Sequence, residues 1–254
     1  MVLSTGKIPH RFRIERFESI DSTSEELRRR AENADIDGLV ITTETQQAGR
    51  GRLGRAWVDR PGGSLLFSVG WHAPIAVTAL AGLSLATGVA VCAALEQHGV
   101  VGMQLKWPND LLHRHCKLGG ILVETIAPAP QRTQVIIGIG INIELNESAR
   151  DAIAAPVTDL RAAGWSGERD LLLADILQQL APMLDRFAAD GFRPFRAAWL
   201  ARHALQQRNV TIWRAGNEIA AGRAIDVDAD GALLLQTPAG VRRLLSGELT
   251  LRPG

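Results

Sequence analysis

The chain has 254 residues, room for one large domain or one large and one small. Its 28 Lys and Arg offset 27 Asp and Glu, which excludes a strongly basic nucleic-acid binder and makes any basic site local. Two cysteines, Cys92 and Cys116, exclude a disulfide framework, and the N-terminus around Lys7, Arg11 and Arg13 lacks an apolar leader core, so a cytoplasmic protein is expected.

Residues 11–20 alternate polar and apolar side chains (Phe12, Ile14, Phe17) and predict a strand. Asp21-Ser22-Thr23-Ser24 follows. Ser22 with Glu25, or Thr23 with Glu26, has capping-box spacing, so a helix starts here. The same hydroxyls can also serve a polar ligand at that helix end. Residues 38–45 predict a strand leading into Gln46-Gln47-Ala48-Gly49-Arg50-Gly51-Arg52-Leu53-Gly54-Arg55-Ala56-Trp57. Its glycines disfavour helix, at roughly 1 kcal/mol each relative to Ala. They predict a mobile loop whose backbone can close on a ligand. The arginines say that the ligand is anionic, because guanidinium forks grip phosphate or carboxylate. Trp57 offers a flat face for stacking. The plainer reading is a solvated basic loop or a non-specific RNA-binding segment.

Pro61-Gly62-Gly63 is a turn, and residues 64–71 predict a strand. Residues 73–95 carry no charge and are long enough to span a bilayer. They are rich in Ala, Gly, Ser and Thr and lack a flanking basic cluster, so a buried helix over 77–98 is expected, ended by Gly99. In Leu105-Lys106-Trp107-Pro108-Asn109-Asp110, Pro108 fixes the backbone after Trp107. Asn109 and Asp110 then open a strand, where they face a cleft or make an Asx turn. His113, His115 and Cys116 have no second ligand cluster and read as a hairpin connection. Lys117-Leu118-Gly119-Gly120-Ile121-Leu122-Val123-Glu124 is strand-like, and its glycines imply close approach of a ligand or another backbone. Residues 135–143 predict another strand, containing Gly138 and Gly140, with Asn142 near its end.

Residues 146–167 connect, and hold Thr158-Asp159-Leu160. Residues 168–190 have helical period, and a short helix over 194–204 places Phe195 and Trp199 in the core. From about Gln206, strands at 210–214, 218–227, 232–236 and 241–251 alternate with turns, as in a small β-barrel. The domain boundary is expected near Leu205, giving domains 1–205 and 206–254.

Four motifs stand in order: Gly49-Arg50-Gly51-Arg52-Leu53-Gly54-Arg55 with Trp57; Lys106-Trp107-Pro108-Asn109-Asp110; Lys117 to Glu124 as written above; and Gly138-Ile139-Gly140-Ile141-Asn142. Together they closely resemble the biotin–protein ligases, that is, the biotin–(acetyl-CoA-carboxylase) ligases. Asp21-Ser22-Thr23-Ser24 also matches, with Ser24 where Asn is common. The resemblance covers nearly the whole chain. It implies an α+β fold: a mixed β-sheet catalytic domain flanked by helices, with a C-terminal SH3-like barrel. It implies that biotin and ATP give biotinyl-5′-AMP, and that a lysine of the biotin carboxyl carrier protein of acetyl-CoA carboxylase then takes the biotin. Two anions must meet, so cations must screen them and stabilise the transition state. Closing the loop keeps water off the anhydride.

The resemblance implies catalytic roles for Lys117, Arg50, Arg52 and Asp110. Biotin contacts fall to Ser22, Thr23, Ser24, Gln46, Gly49, Arg50, Gly51, Arg52, Lys117, Gly119 and Gly120. ATP and adenylate contacts fall to Arg50, Arg52, Arg55, Trp57, Lys106, Asn109, Lys117 and Asn142. Mg²⁺ is expected with ATP, with Asp110 either its carboxylate or a base for the incoming lysine. About twenty residues precede Asp21, too few for the winged helix that some members carry, so no DNA binding is expected. Exposed strand edges would allow a homodimer. The rivals are a lipoate–protein ligase, which shares the fold but not Lys-Trp-Pro-Asn-Asp, and a non-catalytic biotin- or nucleotide-binding regulator, which predicts a damaged cation set.

Overall fold

In the strands of the large sheet, apolar side chains alternate between two cores, so both faces of the sheet must be covered. The computed structural model describes residues 8–58, 60–127, 132–153, 155–245 and 249–253. The first seven residues, part of the leader reading above, lie outside that set.

The elements are β1 (Arg13–Ile20), α1 (Thr23–Ala31), β2 (Leu39–Gln46), β3 (Ser64–Ala73), α2 (Leu83–Gln97), β4 (Met103–Lys106), β5 (Asp110–His113), β6 (Cys116–Ala127) and β7 (Thr133–Asn142). Then come α3 (Glu147–Asp151), α4 (Arg169–Asp190) and α5 (Arg196–Leu200). Seven strands pair in the order β1-β2-β3-β7-β6-β5-β4. β1 and β2 are parallel, and every other ladder is antiparallel. The sheet is therefore mixed, as expected. Local pattern does not predict α3 or β4; Asn146 caps α3 by accepting from Ala149 N at 2.9 Å.

β2 sends Val40 into the large core and Leu39 and Ile41 into the small one. β7 sends Val135, Ile137, Ile139 and Ile141 to the large core and Ile136 to the small one. α1 covers the small core with Leu27, whose full burial stabilises by about 2 kcal/mol. α2 and α4 cover the large core. Ten of the fifteen α2 residues are buried, so the one stretch among the described residues that is long and apolar enough to cross a membrane is a core helix here.

That helix is not continuous over 77–98. Val77–Leu80 forms a 3-10 turn, and the chain breaks at Gly82 with φ +81°. A Cβ at Gly82 would lie 2.6 Å from Phe192 Cβ and 3.1 Å from Asp230 O. Close packing on two distant turns thus sets the break, which helical periodicity does not register.

The C-terminal strands are β8 (Asn209–Arg214), β9 (Asn217–Val227), β10 (Leu233–Thr237), β11 (Gly240–Leu244) and β12 (Leu249–Pro253). They form an antiparallel sheet in the order β11-β10-β9-β8-β12. The single strand expected over 241–251 is two strands, and residues 246–248 lie outside the described set. Among the described residues no ladder joins β11 to β12. Val210, Ile212, Leu233 and Leu235 continue the large core. Buried Trp107 donates from Nε1 to Gly231 O at 3.1 Å, and Arg196 Nε donates to Val227 O at 2.6 Å, so the two sheets are tied together.

Candidate active site

Register builds a trench on the face that carries α1. Ser68 lies opposite Gly138, and Leu66 opposite Gly140. Gly140 in turn lies opposite Gly120. The missing side chains leave room that Trp57 enters. A Cβ at Gly140 would lie 2.8–3.1 Å from three atoms of the indole, and one at Gly120 would lie 3.7 Å from it. The indole Nε1 is buried and has no hydrogen-bond partner among the described residues. Gly119 has a different reason to be glycine: its Cβ would lie 2.5 Å from Gly140 O, which is neighbouring backbone rather than open site.

Uncharged polar groups gather where α1 begins. Thr23 donates from its backbone N (2.8 Å) and its hydroxyl (3.1 Å) to Gln46 Oε1. Ser68 Oγ lies 2.7 Å from Thr23 Oγ1 and 3.0 Å from Ser24 Oγ. Ser22, Thr23, Ser24 and Ser68 are all buried. Ser22 is the N-cap of α1, but its hydroxyl makes no capping bond. The capping box does not form. Glu26 pairs with Arg29 at 2.7 Å and Arg30 at 2.8 Å, and Glu25 pairs with Arg28 and Arg50.

Charges gather further along the same face. Lys117 Nζ lies 2.7 Å from Asp110 Oδ1, and Lys106 Nζ lies 3.4 Å from Asp110 Oδ2. Burial pushes the Asp110 carboxyl up, but the two ammonium groups outweigh it and hold the carboxyl below the ordinary range. Lys117 Nζ stands 3.8 Å from where a Gly120 Cβ would be, so it flanks the Trp57 indole. Arg52 Nη1 donates to Asn109 Oδ1 at 3.4 Å, and Asn109 Nδ2 donates to Ile121 O at 2.8 Å. Burial lowers the Arg52 pKa; Asp110 opposes that shift and Arg55 adds to it. The Trp107–Pro108 peptide that leads into this cluster is cis. A cleft of about 230 Å³ opens beside it, between Ser84, Asn109, Arg52 and Leu122.

The Arg-Gly loop is a closed hairpin. Trp57 N donates to Gly49 O at 2.9 Å and Gly51 N to Arg55 O at 2.7 Å. Leu53 (φ 59°) and Gly54 (φ 69°) turn the tip in the left-handed region. The loop is anchored on two sides. Arg50 pairs with Glu25 of α1, and Arg55 Nη2 donates to Thr250 Oγ1 of β12 at 3.2 Å.

Residues 16–142 match the Biotin/lipoate A/B protein ligase family, and residues 208–252 match the Biotin protein ligase C terminal domain. The chain is 33% identical to the biotin–(acetyl-CoA-carboxylase) ligase of Paracoccus denitrificans, over 90% of this chain and 96% of that protein. The chain belongs to the biotin protein ligases, a family of enzymes. It is also 34% identical to the bifunctional ligase/repressor BirA of Salmonella typhimurium, over 92% of this chain and 72% of that one. Among solved structures, the biotin protein ligase of Aquifex aeolicus in complex with biotin and ATP superposes with a TM-score of 0.79. The two are 28% identical, covering 95% of this chain and 99% of that one.

In this biotin protein ligase chain, several expected residues sit differently from the sequence reading. Asp110, expected as a metal carboxylate or a base, gives each of its oxygens to a lysine ammonium here. Asn142 is buried and donates its amide to Thr158 O at 3.0 Å. That bond holds the 156–158 segment, which itself grips Lys117: Lys117 N donates to Pro156 O at 2.8 Å and Thr158 N to Lys117 O at 2.9 Å. His113 Nε2 lies 3.0 Å from Val101 O and Asp159 accepts from Leu145 N and Ala162 N, so both are structural. Sequence reasoning missed Ser68. The signal was a lone hydroxyl within the apolar run Leu65-Leu66-Phe67-Ser68-Val69.

Proposed function

We propose that this protein uses ATP to adenylate biotin and then biotinylates a lysine of the carrier protein of acetyl-CoA carboxylase. Residues 1–205 are the catalytic domain in this reading and residues 206–254 the C-terminal one. One juxtaposition carries the reading: the Trp57 indole lies on a glycine floor, buried hydroxyls line the same face of the sheet, and Lys117, held by Asp110, stands beside the indole.

The hydroxyls suit a cyclic urea, which offers both N–H donors and a carbonyl acceptor. A dithiolane ring offers neither and would gain no hydrogen bond from this cluster, so such a site favours biotin over lipoate. The indole packs along the apolar tail. Biotin's carboxylate oxygen attacks the α-phosphorus, the bond from that phosphorus to the bridging oxygen breaks, and pyrophosphate leaves with the charge. The Lys117 ammonium and the Arg52 guanidinium screen the two anions as they meet. In the second step the carrier's amine attacks the acyl carbon. The bond to AMP breaks, AMP leaves with the electron pair, an amide forms, and the amine gives up a proton to solvent. Asp110, held below the ordinary carboxylate range, is a poor acceptor for that proton, so its role is to aim Lys117.

Mg²⁺ belongs to the nucleotide in this scheme. No cluster of three His, Cys, Asp or Glu side chains that could hold a metal occurs among the described residues. Phosphate oxygens with water are the usual home of this ion.

Biotin-dependent exchange of pyrophosphate into ATP tests the reading, with lipoate as control. Exchange with biotin and not with lipoate is expected. Exchange with lipoate instead, or none with biotin, rejects it.

A further inference from the structure

We propose that Glu25 is a positioning residue: its carboxylate holds Arg50 while no substrate is bound, and a substrate anion must take its place. This rests on the ligase reading above. Glu25 has the spacing of the far half of a capping box, yet it bonds no helix-end N–H in that way. One of its oxygens, Oε1, meets both the Arg28 and the Arg50 guanidinium. Arg28 reaches on to Glu124 of β6 at 3.0 Å. The result is a chain of alternating charge, Arg50–Glu25–Arg28–Glu124, that links the loop to α1 and to the strand bearing Lys117.

The chain makes release of Arg50 cheap. Breaking an ion pair is costly chiefly when it strands a desolvated charge. Glu25 keeps Arg28 when Arg50 departs, and the Arg50 side chain is 45% exposed, so neither charge is stranded. An exchangeable partner of this kind gives the loop an anchor in the empty state. Substrate competes with it, and the apparent affinity falls by the fraction of molecules in which Arg50 is engaged. Glu25 also sits in the first turn of α1, beside Thr23 and Ser24 of the hydroxyl cluster, which places the exchange within the proposed biotin site.

The test is binding of biotin, of uncharged biotin methyl ester and of ATP to the wild type and to Glu25→Gln, by calorimetry at low salt. If biotin's carboxylate displaces Glu25, the variant binds biotin roughly two- to five-fold more tightly, the range an exposed ion pair supports. The methyl ester shows no gain. A gain on ATP instead assigns the displacing anion to phosphate. The gain disappears in an Arg50→Ala background. Trypsin supplies a second readout: the unliganded variant is cut faster within residues 50–55, and biotin with ATP protects both proteins. Glu25→Ala repeats the pattern if it reflects the lost charge. Unchanged or weaker binding of both anions by a folded variant overturns the proposal. Failure of the wild type to bind biotin would instead reject the ligase reading.

Discussion

Gly140 is the place where packing and function can be separated by one methyl group. Its backbone is not in the left-handed region, so alanine meets no conformational penalty there. The new Cβ would meet the Trp57 indole at 2.8, 2.9 and 3.1 Å, closer than carbon atoms pack. Overpacking of this kind costs about 1–3 kcal/mol. The obstacle is a side chain, so Gly140→Ala should regain most of that loss when Trp57 is replaced by alanine. The assay is a double-mutant cycle in urea, reading midpoints at constant m-value. Gly119→Ala is the contrast: its Cβ meets backbone, Gly140 O, at 2.5 Å, so its cost should not depend on residue 57. In pyrophosphate exchange, Gly140→Ala lifts the indole from the trench floor and should raise KM for biotin more than KM for ATP. A Gly140→Ala penalty that persists undiminished in the Trp57→Ala background would refute the claim that the indole selects glycine here.

Lys117→Ala should lose most of the biotin-dependent exchange with smaller changes in KM; unchanged rates reject its central role. Asp110→Asn should lower kcat by freeing Lys117 from its partner, and full kcat with a neutral side chain would show that the pair does not aim it. Because the Asp110 pKa is lowered from 3.8, its ionised pairing stabilises the fold above that value and stops doing so as pH falls through the lower folded value. The stability gap between wild type and Asp110→Asn should therefore be flat from neutral pH down to about 5 and close at lower pH; a gap that grows on acidification contradicts this. Thr250→Val removes the acceptor of Arg55, a hydrogen bond worth about 1 kcal/mol. Tryptic cleavage of the loop should rise up to roughly five-fold with little change in melting, and unaltered cleavage would mean that β12 does not anchor the loop.

The period-two spacing of Gly138 and Gly140 places both on one face of a strand, and the Arg-Gly loop announces an anion by its residue types alone. The occupant of that face was not legible, because Trp57 comes from a loop far away in sequence and lands on two glycines that strand register sets side by side. Ser68 was hidden for the same reason: it matters because β3 pairs with β7 so that Ser68 lies opposite Gly138, beside α1. At Glu25 the local rule correctly announced a helix start but misassigned the side chain. The capping partner lost to Arg28 and Arg50, two full charges, where a cap would have offered one orphan N–H. Gly82 repeats the pattern, with a uniformly apolar helix signal overridden by contact with Phe192 and Asp230. At Gly82, Ser68, Trp57 and Glu25 a partner distant in the chain enters, and the last three lie at the candidate site. A ligand-binding surface must combine groups that local propensity does not bring together, so that concentration of exceptions is itself a reason to place the chemistry there.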